Sequence, residues 1–274
     1  MAASEEYQAG RRRFLQFAET RWIGWGLVVI LVGLWEFATA ANWISIPALP
    51  RPTAIAERAW LELTRGTLLK ESATTLRLMF IGYGTSAVIA IAIGVLIGRL
   101  RVAWALLEPL TELIRPIPIS AAVPILILFL GIDDGLKITA VFWGSFFPIM
   151  MNTYAGIRAV PPTLKDTGRT FGVSTLKATL LIALPYALPS ILVGMRIALS
   201  LSLIVSVFSE MIAGNSGIGY VIVQSQQTLS VDRLYVAIIL LASIGYLLNT
   251  LFLRLEATVT PWHVANIQAA DNGK

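Results

Sequence analysis

The sequence predicts an all-α membrane protein with six transmembrane helices. Composition, the lengths of the apolar runs and the placement of basic residues predict it. Of 274 residues, 56% are hydrophobic and 14% charged, whereas soluble domains carry about 25% charged residues. The surroundings of such a chain are largely lipid.

A spanning helix needs about 20 mostly apolar residues, and six segments qualify. Trp22–Ala41 carries one charge, Glu36, and has Trp22, Trp25 and Trp43 at its edges, as an interfacial belt would. Leu78–Gly98 carries none. Pro116–Ile132 carries none but is short and holds three prolines, so its helix is expected to begin near Val102. Ile138–Ile157 and Leu234–Leu253 are uncharged, and Ala178–Ser209 is interrupted only by Arg196. Prolines are tolerated in such spans because neighbouring helices satisfy the freed carbonyls.

Orientation follows from the basic residues. Six spans put both termini on one side. Arg11, Arg12, Arg13, Arg21, Arg99, Arg101, Arg158, Lys165, Arg169, Lys177, Arg254 and Lys274 then share that side, against Arg51, Arg58, Arg65, Lys70, Lys137 and Arg233 on the other. An excess of Lys and Arg marks the cytoplasmic face, so both termini are expected in the cytoplasm. The net charge of +5 reflects this bias rather than nucleic-acid binding. Arg11-Arg12-Arg13-Phe14-Leu15 resembles a twin-arginine signal, with Ala38-Thr39-Ala40 as its cleavage site. The reading adopted is a retained first span with a basic flank, because five further spans anchor the chain.

Absent chemistry narrows the function. There is no cysteine and one histidine, His263, too few for a zinc or haem site. No Gly-x-x-x-x-Gly-Lys-Ser/Thr loop is present, so the chain has no nucleotide-phosphate cradle of that kind. Outside the spans, the longest segment is residues 44–76. Pro50-Arg51-Pro52-Thr53 reads as a turn and helix cap, with a short helix at 54–63 stopping near Gly66.

The loop between the fourth and fifth spans carries the clearest signal. Pro161 and Pro162 suit a helix start, where a missing N–H costs nothing. Gly172 suits the left-handed residue that ends a helix, and Ser174 the cap of the next. Pro185 falls where that second helix would bend into span five. Two helices around a glycine turn are therefore expected on the cytoplasmic side.

Asp166-Thr167-Gly168, Gly172, Ile182, Leu184 and Pro185 stand at the spacing of a known motif: Glu-Ala-Ala, three residues, Gly, nine residues, Ile, one residue, Leu-Pro. The loop thereby resembles the ATPase-coupling loop of the permease subunits of ATP-binding cassette importers. Asp166 keeps the acid, while Thr167 and Gly168 replace two alanines. Leu49-Pro50-Arg51-Pro52, Arg115-Pro116-Ile117-Pro118, Phe129-Leu130-Gly131-Ile132, Ser209-Glu210-Met211-Ile212-Ala213 and Gly217-Ile218-Gly219-Tyr220 extend the resemblance over residues 20–262. They resemble the nitrate/sulfonate/taurine/bicarbonate branch. The resemblance implies a type I importer permease fold. Its parts would be a cytoplasmic tail at 1–21, a transmembrane domain at 22–257 with its coupling loop at 158–185, and a cytoplasmic tail at 258–274.

It also implies a transport subunit without an ATPase site of its own in the bacterial inner membrane. The partners would be a second copy, two cytoplasmic ATPase subunits that hold ATP and magnesium, and an external substrate-binding protein. This chain would need no cofactor. A self-contained secondary transporter or channel is the alternative; it would need a broken-helix site or an ionisable relay near mid-membrane, for which Arg196 and Glu36 are the only members.

Span five supplies the candidate path residues. Arg196 and Glu210 are separated by about 40° around an ideal helix and about 21 Å along it, so they share a face without pairing. Ser202, Ser206 and Ser209 form a second polar row. Charges in a bilayer face protein or water, so Arg196, Ser202, Ser206 and Glu210 are candidates for lining the translocation path. Helix packing and interhelical hydrogen bonding are the competing role. Gly94-Val-Leu-Ile-Gly98 reads as a small-residue face for helix contact.

Overall fold

The apolar runs become helices because a backbone in lipid must satisfy its own hydrogen bonds. The computed structural model describes residues 21–44 and 46–262, and all regular structure in them is helical. The order is α1 (Arg21–Ala40), α2 (Pro52–Arg65), α3 (Thr67–Arg99), α4 (Arg101–Ile114), α5 (Ile119–Leu130), α6 (Asp134–Arg158), α7 (Pro162–Thr170), α8 (Thr175–Ala178), a π-helical turn (Thr179–Ala183), α9 (Leu184–Ala213), α10 (Ile218–Gln227) and α11 (Val231–Val259). The expectations for Arg11–Arg13 and His263, and for the side chains of Trp22 and Trp25, lie outside the described residues.

Three segments are long and apolar enough to cross a membrane: Thr67–Arg99, Thr175–Ala213 and Val231–Val259. The pair α4 and α5 forms a fourth if it counts as one broken span. At 20 and 25 residues, α1 and α6 are also long enough to cross, so the helices are consistent with six passages. Helix α6 is packed by protein on two sides. It lies between α3 and α9, and its Ala140, Val141, Ile149 and Met150 join Met79, Ala90 and Ile97 of α3 and Ala198, Leu199 and Leu203 of α9 in one core. A helix shielded from lipid on two sides need not be apolar all round.

Close approach explains why. A Cβ at Gly82, Gly94 or Gly98 of α3 would fall within 3.0 Å of Val141, Thr153 or Ile157 of α6. On the other flank, Gly194 of α9 sits against Asn152 and Pro148, and Gly156 of α6 against Ala187. The small-residue face at Gly94 and Gly98 is thus the α3–α6 contact.

The third passage is not the single helix expected near Val102. It starts at Arg101 but breaks at residues 115–118, where α4 and α5 meet at 95°. Pro116 and Pro118 lack the N–H groups that would carry the helix on; Arg115 itself is still helical and Pro118 is extended.

Residues 52–65 form the expected short helix, ending at Gly66 with φ 71°. The cap differs from expectation. Arg51 occupies the N-cap position, and Thr53 lies inside the helix. Its N–H and hydroxyl both donate to the Glu36 carboxylate, at 3.1 and 3.0 Å. The lone charge of the first span therefore caps the N-terminus of α2, where a carboxylate meets the positive end of the helix.

Arg58 and Arg233 converge on Glu62, at 2.9 and 3.2 Å, and Arg99 of α3 hydrogen-bonds Thr179 beside the α7–α8 loop.

Candidate functional site

The loop between α6 and α9 folds as two helices around a turn. Pro162 is the first residue of α7, after an extended Pro161. At its end, the Val173 N–H donates to the Gly168 carbonyl and the Gly172 N–H to the Arg169 carbonyl, both at 2.9 Å. This paired pattern closes a helix when its C′ residue is left-handed, and Gly172 has φ 65°. A side chain there would strain the backbone. Ser174 holds the extended N-cap position of α8, but its side chain makes no capping bond; its carbonyl accepts from the Ala178 N–H at 2.8 Å.

Beyond α8, the chain widens into the π-helical turn and passes without interruption into α9. Pro185 has no N–H to give to the preceding turn, and a freed carbonyl is what such a widening accommodates.

The motif positions fall into two groups. Gly168 is buried, and a Cβ on it would lie 3.0 Å from Cδ1 of Ile182. The third motif residue therefore packs directly on the motif isoleucine, and only a very small residue fits between α7 and the π turn. Asp166 and Thr167 point outward: Asp166 pairs loosely with Arg169 at 3.4 Å, both exposed, and Thr167 donates to the Thr163 carbonyl. Thus α7 is anchored through Gly168 while presenting Lys165, Asp166 and Arg169 outward.

The span-five residues are placed as follows. Ser202, Ser206 and Ser209 are fully buried and Glu210 is 1% exposed. The hydroxyls of Ser202 and Ser145 of α6 are 2.7 Å apart, so this row faces the α6 seam. Arg196 lies 3.5 Å from Glu256 of α11. Glu210 takes part in a cap that sequence reasoning missed. The N-terminus of α10 offers three successive N–H groups, each met by a side chain from another helix. Gly217 donates to Glu71 at 2.5 Å, Ile218 to the Thr75 hydroxyl at 2.9 Å and Gly219 to Glu210 at 3.0 Å. The Thr75 hydroxyl also donates to Glu210 at 3.0 Å. Glu71 and Thr75 stand four apart on α3, a spacing that puts them on one face; that was the available signal.

Residues 89–262 match the family of binding-protein-dependent transport system inner membrane components. The chain belongs to that family. SsuC of Escherichia coli, an aliphatic sulfonates transport permease by name, is 34% identical to this permease over 88% of the chain and 92% of SsuC. The nitrate import permease NrtB of Leptolyngbya laminosa is 28% identical over 85% of each. In three dimensions the permease superposes on a subunit of the inward-facing MetNI methionine ABC transporter with a TM-score of 0.63. That match has 20% identity and covers 73% of this chain and 99% of the other; it shows a shared fold.

The permease is accordingly a membrane transport subunit, and Asp166, Gly168, Gly172, Ile182, Leu184 and Pro185 lie on α7, the glycine turn, the π turn and the start of α9.

Proposed function

We propose that the permease forms half of a translocation path for a small oxyanion of the sulfonate, nitrate or bicarbonate class. Two copies would form the path, and two cytoplasmic ATPase subunits, which hold ATP and magnesium, would drive it. An external binding protein would deliver the solute. Both termini and α7 would face the cytoplasm. The names of the relatives favour the substrate class, and their function in sulfonate and nitrate transport is the reason for choosing it.

One observation carries the coupling assignment. The outward-facing α7 is locked by Gly168 on Ile182 to a π turn that runs unbroken into α9. Force applied to α7 by an ATPase would reach a spanning helix without crossing a flexible joint, as rigid-body switching requires. Within α9, Leu201 and Val205 stand beside the buried serine row and border an open cavity. We assign the path wall to that face and the serines to the seam that supports it.

The test is co-purification and transport with the α7 docking surface altered. Replacing Lys165, Asp166 and Arg169 together by alanine should abolish ATPase co-purification and ATP-driven uptake while leaving the folded permease intact. Solute uptake by the permease with no ATPase present would overturn the reading and favour a self-contained transporter.

A further inference from the structure

The break between α4 and α5 places a cation where a bilayer is least able to hold one. Arg115 lies at this break and lines a cavity of about 500 Å³ together with Ile119, Trp143, Asn152, Leu201 and Val205. The depth of the cavity follows from the straight helices around it. Trp143 and Asn152 lie roughly 14 and 27 Å from the Asp134 end of α6, and Val205 and Leu201 about 12 and 18 Å from the Ala213 end of α9, at 1.5 Å per residue. In a hydrocarbon layer about 30 Å thick, Trp143, Leu201 and Val205 thus fall in the middle third, and the cavity extends from there towards Asn152, about 9 Å from the Arg158 end.

Arg115 is exposed on the single chain. Among the described residues no carboxylate lies within salt-bridge distance of it, whereas Arg196 has Glu256. An arginine stays protonated in any protein setting, and an uncompensated charge at mid-membrane is confined to a water-filled or ligand-filled space. The start of α5 adds to the field. No side chain caps its N-terminus, and Pro118 and Ile119 of that turn line the same cavity. The positive end of a broken helix favours an anion at mid-membrane.

We propose that the guanidinium of Arg115, in the cavity between α5, α6 and α9, is the mid-membrane contact for the transported oxyanion. The assignment rests on the anion-import reading above and names the residue that would set its charge selectivity. A planar guanidinium offers paired N–H donors at the spacing of two oxygens on one centre, which suits sulfonate, nitrate and bicarbonate alike. Trp143 and Leu201 supply an apolar wall that keeps the contact from dissolving into bulk water, and Asn152 adds a polar group across the cavity. A site with one cation and few further donors holds an anion loosely enough to release it.

The experiment uses the complete transporter, permease with its ATPase and binding protein, in proteoliposomes. The probes are labelled ethanesulfonate, nitrate and bicarbonate. ATP-driven uptake of at least one is expected for the wild type. Arg115→Gln should lower it about tenfold or more, the range of one lost charge-assisted contact, with assembly unchanged, and Arg115→Lys should retain more than Arg115→Gln. A second measurement does not depend on transport. The chain has no cysteine, so Leu201→Cys places a single thiol on the cavity wall. It should react faster with an anionic ethylsulfonate methanethiosulfonate than with the cationic trimethylammonium analogue, relative to a free thiol in solution. Adding Arg115→Gln should erase that preference. Wild-type uptake by Arg115→Gln, or no charge preference at the Leu201→Cys thiol, would overturn the assignment and leave anion import standing. A wild type that carries none of the three anions but takes up a neutral solute would overturn both.

Discussion

The Glu210 carboxylate, near the end of α9, accepts the N–H of Gly219 at 3.0 Å, just inside α10. One helix thereby caps the next, nine residues on in sequence, from a position that is 1% exposed. The intervening Gly217 has φ 100°, and a Cβ there would lie 2.3 Å from the Glu210 carboxyl carbon. With Glu71 and Thr75 of α3, this cap fixes α10 against two spanning helices. Glu210→Ala leaves the Gly219 N–H without an acceptor in a buried site, which costs about 1–3 kcal/mol. A lower unfolding midpoint in detergent is expected, with Glu210→Gln less affected. Gly217→Ala should be destabilising even with Glu210 intact, because it needs both the left-handed backbone and the empty space. An unchanged midpoint for both Glu210→Ala and Gly217→Ala would show that the cap does not hold α10.

Helix contact at Gly94 gives a second prediction. A Cβ on Gly94 would lie 2.6 Å from the Cβ of Thr153 and 2.8 Å from the Met150 carbonyl, both on α6. Neither atom belongs to a flexible side-chain end, so the helices themselves must separate. Gly94→Leu should sharply reduce the yield of folded permease. Gly84→Leu on the same helix, which meets nothing within 4 Å, should be tolerated. Equal yields for the two would remove the close α3–α6 contact as a requirement of the fold.

Much of this was legible in the sequence, for physical reasons that also mark where legibility ends. Lipid demands long apolar runs, so α3, α9 and α11 could be placed directly. The α7 start at Pro162 and the turn at Gly172 were legible because proline and glycine restrict the backbone locally. The 95° break was less so: Pro116 and Pro118 predict a disturbance, but its angle depends on packing. Periodicity put Ser202, Ser206 and Ser209 in one row without revealing that the row faces Ser145. Glu36 and Glu210 were visible as isolated charges, but their partners, Thr53, Gly219 and Thr75, are backbone or small polar groups that no charge pattern marks. Ser174 shows the converse, since its position is that of a cap while its side chain does not act as one.

Ser202 tests the seam. Its hydroxyl is 2.7 Å from that of Ser145 and 2.6 Å from the Ala198 carbonyl, with no exposed surface. Ser202→Leu inserts several atoms into a filled contact, where overpacking costs typically about 1–3 kcal/mol. The variant is expected to unfold at lower temperature, whereas Ser202→Ala, which only leaves one hydroxyl to the Ser145–Val141 bond, should stay near wild type in both stability and uptake. A path-lining serine would behave differently, with Ser202→Ala impairing uptake while leaving stability unchanged. Measuring both quantities on both variants separates the two roles.

The coupling helix gives the last prediction. Gly168 leaves 3.0 Å between the site of a Cβ and Ile182 Cδ1, so alanine there requires the isoleucine to shift by a few tenths of an ångström. That contact is with the end of a flexible side chain, and alanine restores about 1 kcal/mol of helix propensity relative to glycine. Gly168→Ala should therefore fold and transport near wild type. Gly168→Leu cannot be accommodated without lifting α7 from the π turn, so the permease should still assemble in the membrane while ATP hydrolysis by the complex no longer drives uptake. Shortening the opposing side chain, as Ile182→Ala, should partly rescue Gly168→Leu if the defect is this contact. Uptake by Gly168→Leu at the wild-type rate, or no rescue by Ile182→Ala, would mean that the Gly168–Ile182 packing does not carry the coupling.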